Sequence, residues 1–216
     1  MTDIIIDLIK EDISALHWID RYAGLVVPAT RHIPKKNEFG FEDFNTEIFP
    51  VAINVDNTRC WENGLYKDLV PDSKYKSVAY WEDISGLQKV GVRTLSKRRE
   101  IHYYQASLRF VCWVNMKLAG YAPGESISPL QIDVINTLNE INIMGIENPI
   151  KIITLRMNVS DILPKDHKAV FGNYSYANDF KLFMYPYDYF ALNVKAQLTM
   201  DHDCVISSSA KSPIVC

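Results

Sequence analysis

The segment YFALNVKAQLTM, residues 189–200, alternates apolar and polar side chains almost without error. Phe190, Leu192, Val194, Ala196, Leu198 and Met200 fall on one parity, and Asn193, Lys195, Gln197 and Thr199 on the other. Successive side chains of a strand point to opposite faces, so this segment predicts a core strand with one wet side. Its backbone donors and acceptors need partners, which commits the chain to a sheet. Pro186, which cannot donate to a ladder, marks the strand entry or an edge.

The same alternation recurs upstream. In IHYYQASLRFVCWVNM, Tyr104, Ala106, Leu108, Phe110, Cys112, Val114 and Met116 face one way, and Gln105, Ser107, Arg109 and Asn115 the other, predicting a half-buried antiparallel strand. IKIITLRMNV, residues 150–159, places Ile153, Leu155, Met157 and Val159 on one face. GLVVPATRHI and IFPVAINV, residues 48–55, are β-branched enough to be strands. SVAYWEDI and LQKVGVRTL read as two strands joined by Ser85 and Gly86. The polar PKKNEFGFEDFNTE reads as a loop or an extended hairpin arm.

Two segments carry helical spacing instead. Thr2 or Asp3 can cap a first helix whose Ile5, Ile6, Ile9, Ile13, Leu16 and Tyr22 form one stripe, with Gly24 as its end. Ser128 as N-cap, Pro129 at the first position and Gln131 closing a capping box predict a second. Its stripe is Val134, Ile135, Leu138 and Ile141, and Gly145 is its natural terminator. A short helical turn is expected near KDHKAVF. The sum is an α+β fold: one twisted antiparallel sheet flanked by two helices, with a long β-hairpin and extended arms. A single domain over 1–216 is expected, with an extended loop or arm at about 33–76.

Composition narrows the function. The 216 residues are 48% hydrophobic and 23% charged, near the globular average. A formal charge of −3 gathers no polyanion, and Lys97, Arg98 and Arg99 form the tight basic run. The N-terminal apolar patch is interrupted at Asp7 and Lys10 with no basic region before it, unlike a signal peptide. No stretch reaches the roughly 18 apolar residues of a membrane span, so a soluble protein made in the cytoplasm is expected. Cys60, Cys112, Cys204 and Cys216 are far apart with no CxxC spacing and read as reduced thiols.

Motifs for chemistry are sparse. Asp201, His202, Asp203 and Cys204 are competent metal ligands, but consecutive strand residues diverge to opposite faces, and a solvated strand end is the preferred reading. There is no GxSxG elbow, HExxH or phosphate-cradling glycine loop. His17, His32, His102 and His167 lack companions at ligand spacing. The acid pairs Glu42 with Asp43 and Glu82 with Asp83 read as solvated turns. The basic run followed by Tyr103 and Tyr104 can grip a nucleic-acid backbone, or be an exposed turn. Phe183, Tyr185, Tyr187, Tyr189 and Phe190 serve either a core entry or a subunit interface.

The element order, with the phrases IIIDLIKEDISALHWI, LQKVGVRTL to LRFVCWVN, SPLQIDVINTLNEI and YPYDYFALNVKAQLTM, resembles the tail-terminator and head-tail connector proteins of tailed bacteriophages. A texture rich in Asn, Ile, Tyr and Lys is similar to neck ring proteins of crAss-like phages that infect Bacteroidales hosts. The resemblance covers most of the chain and implies a non-enzymatic virion protein without catalytic residues, metal or cofactor. It implies a ring of six or twelve copies between portal and tail, in the neck or tail of the virion and in the host cytoplasm during assembly. Partners would be the chain itself, adjacent portal, connector and tail proteins, and packaged DNA through non-specific contact, with no membrane. Interface residues would be Tyr185, Tyr187, Tyr189, Phe190, Trp61 and Trp81. Lys97, Arg98 and Arg99 would face the DNA channel or a partner. The alternative from the residues themselves is a non-catalytic nucleic-acid-binding module using the basic hairpin at 96–104. A third reading is a metal-dependent hydrolase centred on His202 and Cys204.

Overall fold

The computed structural model describes residues 1–36, 42–53, 69–96, 99–146 and 152–201. Its elements are α1 (Thr2–Leu8), α2 (Lys10–Ser14), β1 (Arg21–Lys36), β2 (Glu42–Ala52), β3 (Ser77–Ser96), β4 (Arg99–Asn115), α3 (Ser128–Glu140), β5 (Asn142–Ile146), β6 (Ile152–Ile162), α4 (His167–Phe171) and β7 (Tyr187–Asp201). Two 3-10 turns, Ser175–Asn178 and Phe180–Phe183, lie between α4 and β7. The seven strands form one sheet in the order β2-β1-β3-β4-β7-β6-β5.

The fold is α+β, as the patterns predict, but the sheet is mixed. β1 runs parallel to β3 through Arg21, Tyr22 and Leu25, paired with Val78, Ala79 and Trp81; every other neighbour pair in the sheet is antiparallel. β4 and β7 pair without a register shift from Ile101 and Asp201 to Asn115 and Tyr187. The predicted core parities of both strands hold, with Leu108, Phe110, Cys112, Leu192 and Ala196 fully buried.

Helices α1, α2 and α3 cover that face. Ile5, Ile6, Ile9 and Ile13 are buried as one stripe, although the helix breaks at Ile9. Several local expectations are corrected here. Thr2 caps nothing: its hydroxyl donates to Asp83 Oδ2 at 2.7 Å and ties α1 to β3. Tyr22 and Gly24 belong to β1, where Gly24, at φ +70°, sits in the register shift between Tyr22 and Leu25. α3 lacks the Ser128 cap; Ser126 Oγ accepts from the Ser128 amide at 3.1 Å one step further out. α3 ends at Glu140, and Gly145 lies inside β5.

Ser85 and Gly86 do not separate two strands. They form an irregularity within the single strand β3, between Asp83 and Leu87. Gly86 takes φ +64°, its amide donates to Asp83 Oδ1 at 2.6 Å, and the Ser107 amide of β4 donates to Ser85 Oγ at 3.1 Å. Side-chain oxygens thus replace the ladder partners a bulge removes. In β6 a similar shift between Ile152 and Thr154 sends Ile152 rather than Ile153 into the core.

The opposite face of the sheet is covered over half its height. Val78, Tyr80, Val111, Trp113, Tyr189 and Ala191 pack with Val170, Phe171, Tyr174 and Tyr176 from α4 and the turns after it. β4 and β7 are therefore buried on both sides at that end, where one wet side was expected. The other end keeps the predicted polar surface.

Leu108→Ala should lower the unfolding free energy by about 2–5 kcal/mol, whereas Lys195→Ala on the open face should change it by less than about 0.5 kcal/mol. Urea titrations of the two variants check this asymmetry.

Candidate functional site

Three surfaces gather the chemistry. The first is a pair of open sheet edges. β1 leaves β3 after Leu25 and from Val26 onward pairs only with β2. The outer edge of β3 from Asp83 to Ser96 therefore has no strand partner among the described residues. It carries Ile84, Val90, Val92 and Leu95, between 46% and 60% exposed. At the far side β5 is an edge strand of five residues, with Met144 exposed. Unpaired backbone beside exposed apolar side chains is a template for strand addition. β2 is less open, because the Ile48 amide donates to Ser175 Oγ at 2.8 Å.

The second surface is aromatic. Of the expected interface residues, Tyr185 is 51% exposed and Tyr187 is half-buried, stacked on Trp113 at 4.8 Å. Tyr189 and Phe190 are core residues on opposite faces, Tyr189 against Phe171 at 5.3 Å and Phe190 against Phe110 at 6.2 Å. Trp81 is fully buried, and its indole nitrogen donates to the Tyr22 hydroxyl at 2.8 Å. None of these three reaches the surface. Phe180 and Met184, both exposed in the segment that leads to Tyr185, are absent from the expected interface. Strand parity carries no signal for them, because β7 begins only at Tyr187.

Trp61, Lys97 and Arg98 lie outside the described residues, as do His202, Asp203, Cys204, Cys60 and Cys216. β3 and β4 pair as far as Ser96 and Arg99.

The third is a polar cluster where β1 and β3 part. Glu82 is buried on β3; its Oε1 accepts from the Tyr174 hydroxyl at 2.7 Å, and its Oε2 lies 3.5 Å from Arg109 of β4. Glu82 and Tyr174 line a cleft of about 450 Å³ with Val26, Val27, Pro28, Ile48 and Ile84. The Tyr80 and Tyr176 hydroxyls meet at 3.1 Å beneath it. Burial raises the pKa of Glu82, outweighing the Tyr174 hydroxyl and the Arg109 guanidinium, which both favour the anion. Burial also holds the Tyr174 phenol well above its usual range.

The cluster is a buried carboxyl held between a phenol and a guanidinium. Cys112 is enclosed in the core, and desolvation pushes its thiol far from the reactive range. Among the described residues no three metal-competent side chains cluster, and no helix is long and apolar enough to cross a membrane.

A carboxyl whose folded pKa is raised binds its proton more tightly folded than unfolded. Its contribution is complete below its ordinary value of 4.5 and is lost as pH rises through the folded value. Glu82→Gln keeps an acceptor for Tyr174 and removes the ionisation. The melting temperature of the variant should therefore gain on that of the parent as pH rises above the ordinary carboxyl value of 4.5; parallel curves would refute the assignment. Compared with protein-family models, curated proteins and solved structures, the chain matches none.

Proposed function

We propose that the protein is a structural virion component that assembles into a ring in the head-tail connector or tail-terminator region of a tailed bacteriophage. The observation that carries this reading is the open edge of β3, Ile84 to Leu95, opposite a second open edge at β5 in the same sheet. Two different edges on one subunit favour heterologous contacts, which close into rings when the rotation permits. Pairing neighbours through them would satisfy the backbone groups that a lone subunit leaves to water. The β1–β2 hairpin, free of β3 beyond Leu25, is an arm of the kind that reaches a neighbouring ring. The exposed group Phe180, Met184 and Tyr185 adds an apolar contact surface. On this reading the role is mechanical and non-catalytic, and the ring wall encloses the DNA channel.

Mass photometry and negative-stain microscopy across a concentration series should show rings of six or twelve subunits. Replacing Val90 and Val92 by Asp should abolish association while moving the melting temperature little, since both side chains are exposed. A strict monomer at every concentration, with and without a connector extract, would sink the proposal.

A second reading is nucleic-acid contact through the basic hairpin at 96–104, whose described strands pair up to Ser96 and Arg99. It predicts oligonucleotide affinity that falls steeply with salt, with a shallower slope after Lys97, Arg98 and Arg99 are changed to Ala. Salt-independent binding, or none, would remove it.

A further inference from the structure

The end of the sheet that no described residue covers on this face is organised in rows. Gln88 of β3 lies opposite Gln105 of β4, Gln105 opposite Gln197 of β7, Gln197 opposite Arg156 of β6, and Arg156 opposite Asn142 of β5. Residues directly opposite one another share a face, so amide side chains and one guanidinium run straight across five strands. The next row holds Tyr103, Thr199 and Thr154. Over these two rows lies an open groove of about 530 Å³.

The chemistry of this groove is specific. No carboxylate lines it, and its single cation, Arg156, already donates from Nε to Asn142 Oδ1 at 3.3 Å. Thr154 donates to Thr199 at 2.9 Å, which fixes both hydroxyls. The amides of Gln105 and Gln197, neighbours in register, make no hydrogen bond with another side chain or backbone group among the described residues. Each can donate and accept at once. The Tyr103 ring packs against the Gly91 backbone at the groove's end, where a Cβ on residue 91 would stand 3.6 Å from it.

We propose that this face binds a neutral oligosaccharide laid across the strands. A polyanion needs a succession of free cations along its path, and a cationic ligand needs carboxylates; the groove provides neither. Sugar hydroxyls, like amides, are donors and acceptors together, so adjacent glutamines pair with them in both senses. The tyrosine ring supplies an apolar platform for the C–H face of a pyranose. The groove borders the open edge of β3, with Val90 lining its rim, while the amide and threonine rows lie inward of that edge on β4, β7 and β6.

Isothermal titration calorimetry of the full chain against defined neutral hexasaccharides (gluco-, xylo-, manno- and galacto-configured) tests the assignment. At least one should bind, with affinity unchanged by added salt. Gln105→Ala with Gln197→Ala should weaken it by about tenfold or more, with the melting temperature unmoved because both side chains sit outside the core. Absence of heat for every sugar at about 10 mM, or binding indifferent to the double substitution, would overturn the proposal. So would salt-sensitive binding of a thymidine oligonucleotide that the same double substitution abolishes, which would give the face to nucleic acid.

Discussion

The unshifted ladder between β4 and β7 is the constraint from which the rest of the molecule follows. Because these strands pair from Ile101 with Asp201 to Asn115 with Tyr187, their parities are locked together. Leu108 must lie beside Val194, and Phe110 beside Leu192. A slip of one residue would turn every one of these side chains toward water. The stripe of α1 and α2 and the stripe of α3 dock on the surface so created. The segment from α4 to the second 3-10 turn fills part of the other face. The two arrangements differ in kind, since the helix-covered side is built mainly from aliphatic chains and the other from stacked and edge-to-face aromatics such as Phe171, Tyr189 and Phe183.

Much of this was legible because strand parity is a local property. Residues 104–116 and 189–200 announced their buried face, and the apolar steps from Ile5 to Ile13 announced theirs. What failed to show depended on partners. Val111 and Trp113 are apolar on the nominally wet parity of β4, which marked a second covered face, but their cover comes from residues 163–189. The parallel contact of β1 with β3 is too short to leave a periodic trace. Ser85 and Gly86 looked like a turn because turn residues and bulge residues are the same residues; only the Asp83 and Ser107 bonds distinguish them. Ser128 stood in a capping sequence, yet Ser126 reached the helix start first.

The surfaces were less readable than the core. Trp81 and Phe190 looked like interface aromatics by type, and both are interior by position. Burial of Trp81 is fixed by the Tyr22 hydroxyl, a pairing 59 residues apart in the chain. The row of amides crossing five strands is likewise invisible in sequence, since Gln88, Gln105, Gln197, Arg156 and Asn142 come from five separate segments. Glu82, next to Asp83 in a pair with the pattern of a solvated turn, instead occupies a place where water is nearly excluded. In each case the physical role arises from register, which the linear pattern does not carry.

The β4–β7 ladder also sets an order in time. Its partners are separated in the chain by as much as 100 residues, from Ile101 to Asp201. During synthesis β4 therefore emerges with its apolar face exposed, and β3 is the neighbour that can pair with it at once. Long-range pairing of this kind slows folding and leaves unfinished sheet surface open to aggregation. For a chain in which no described strand covers the outer edge of β3, the interval before β7 arrives is the period of greatest exposure. High expression would then be limited by how quickly the last strand closes the sheet.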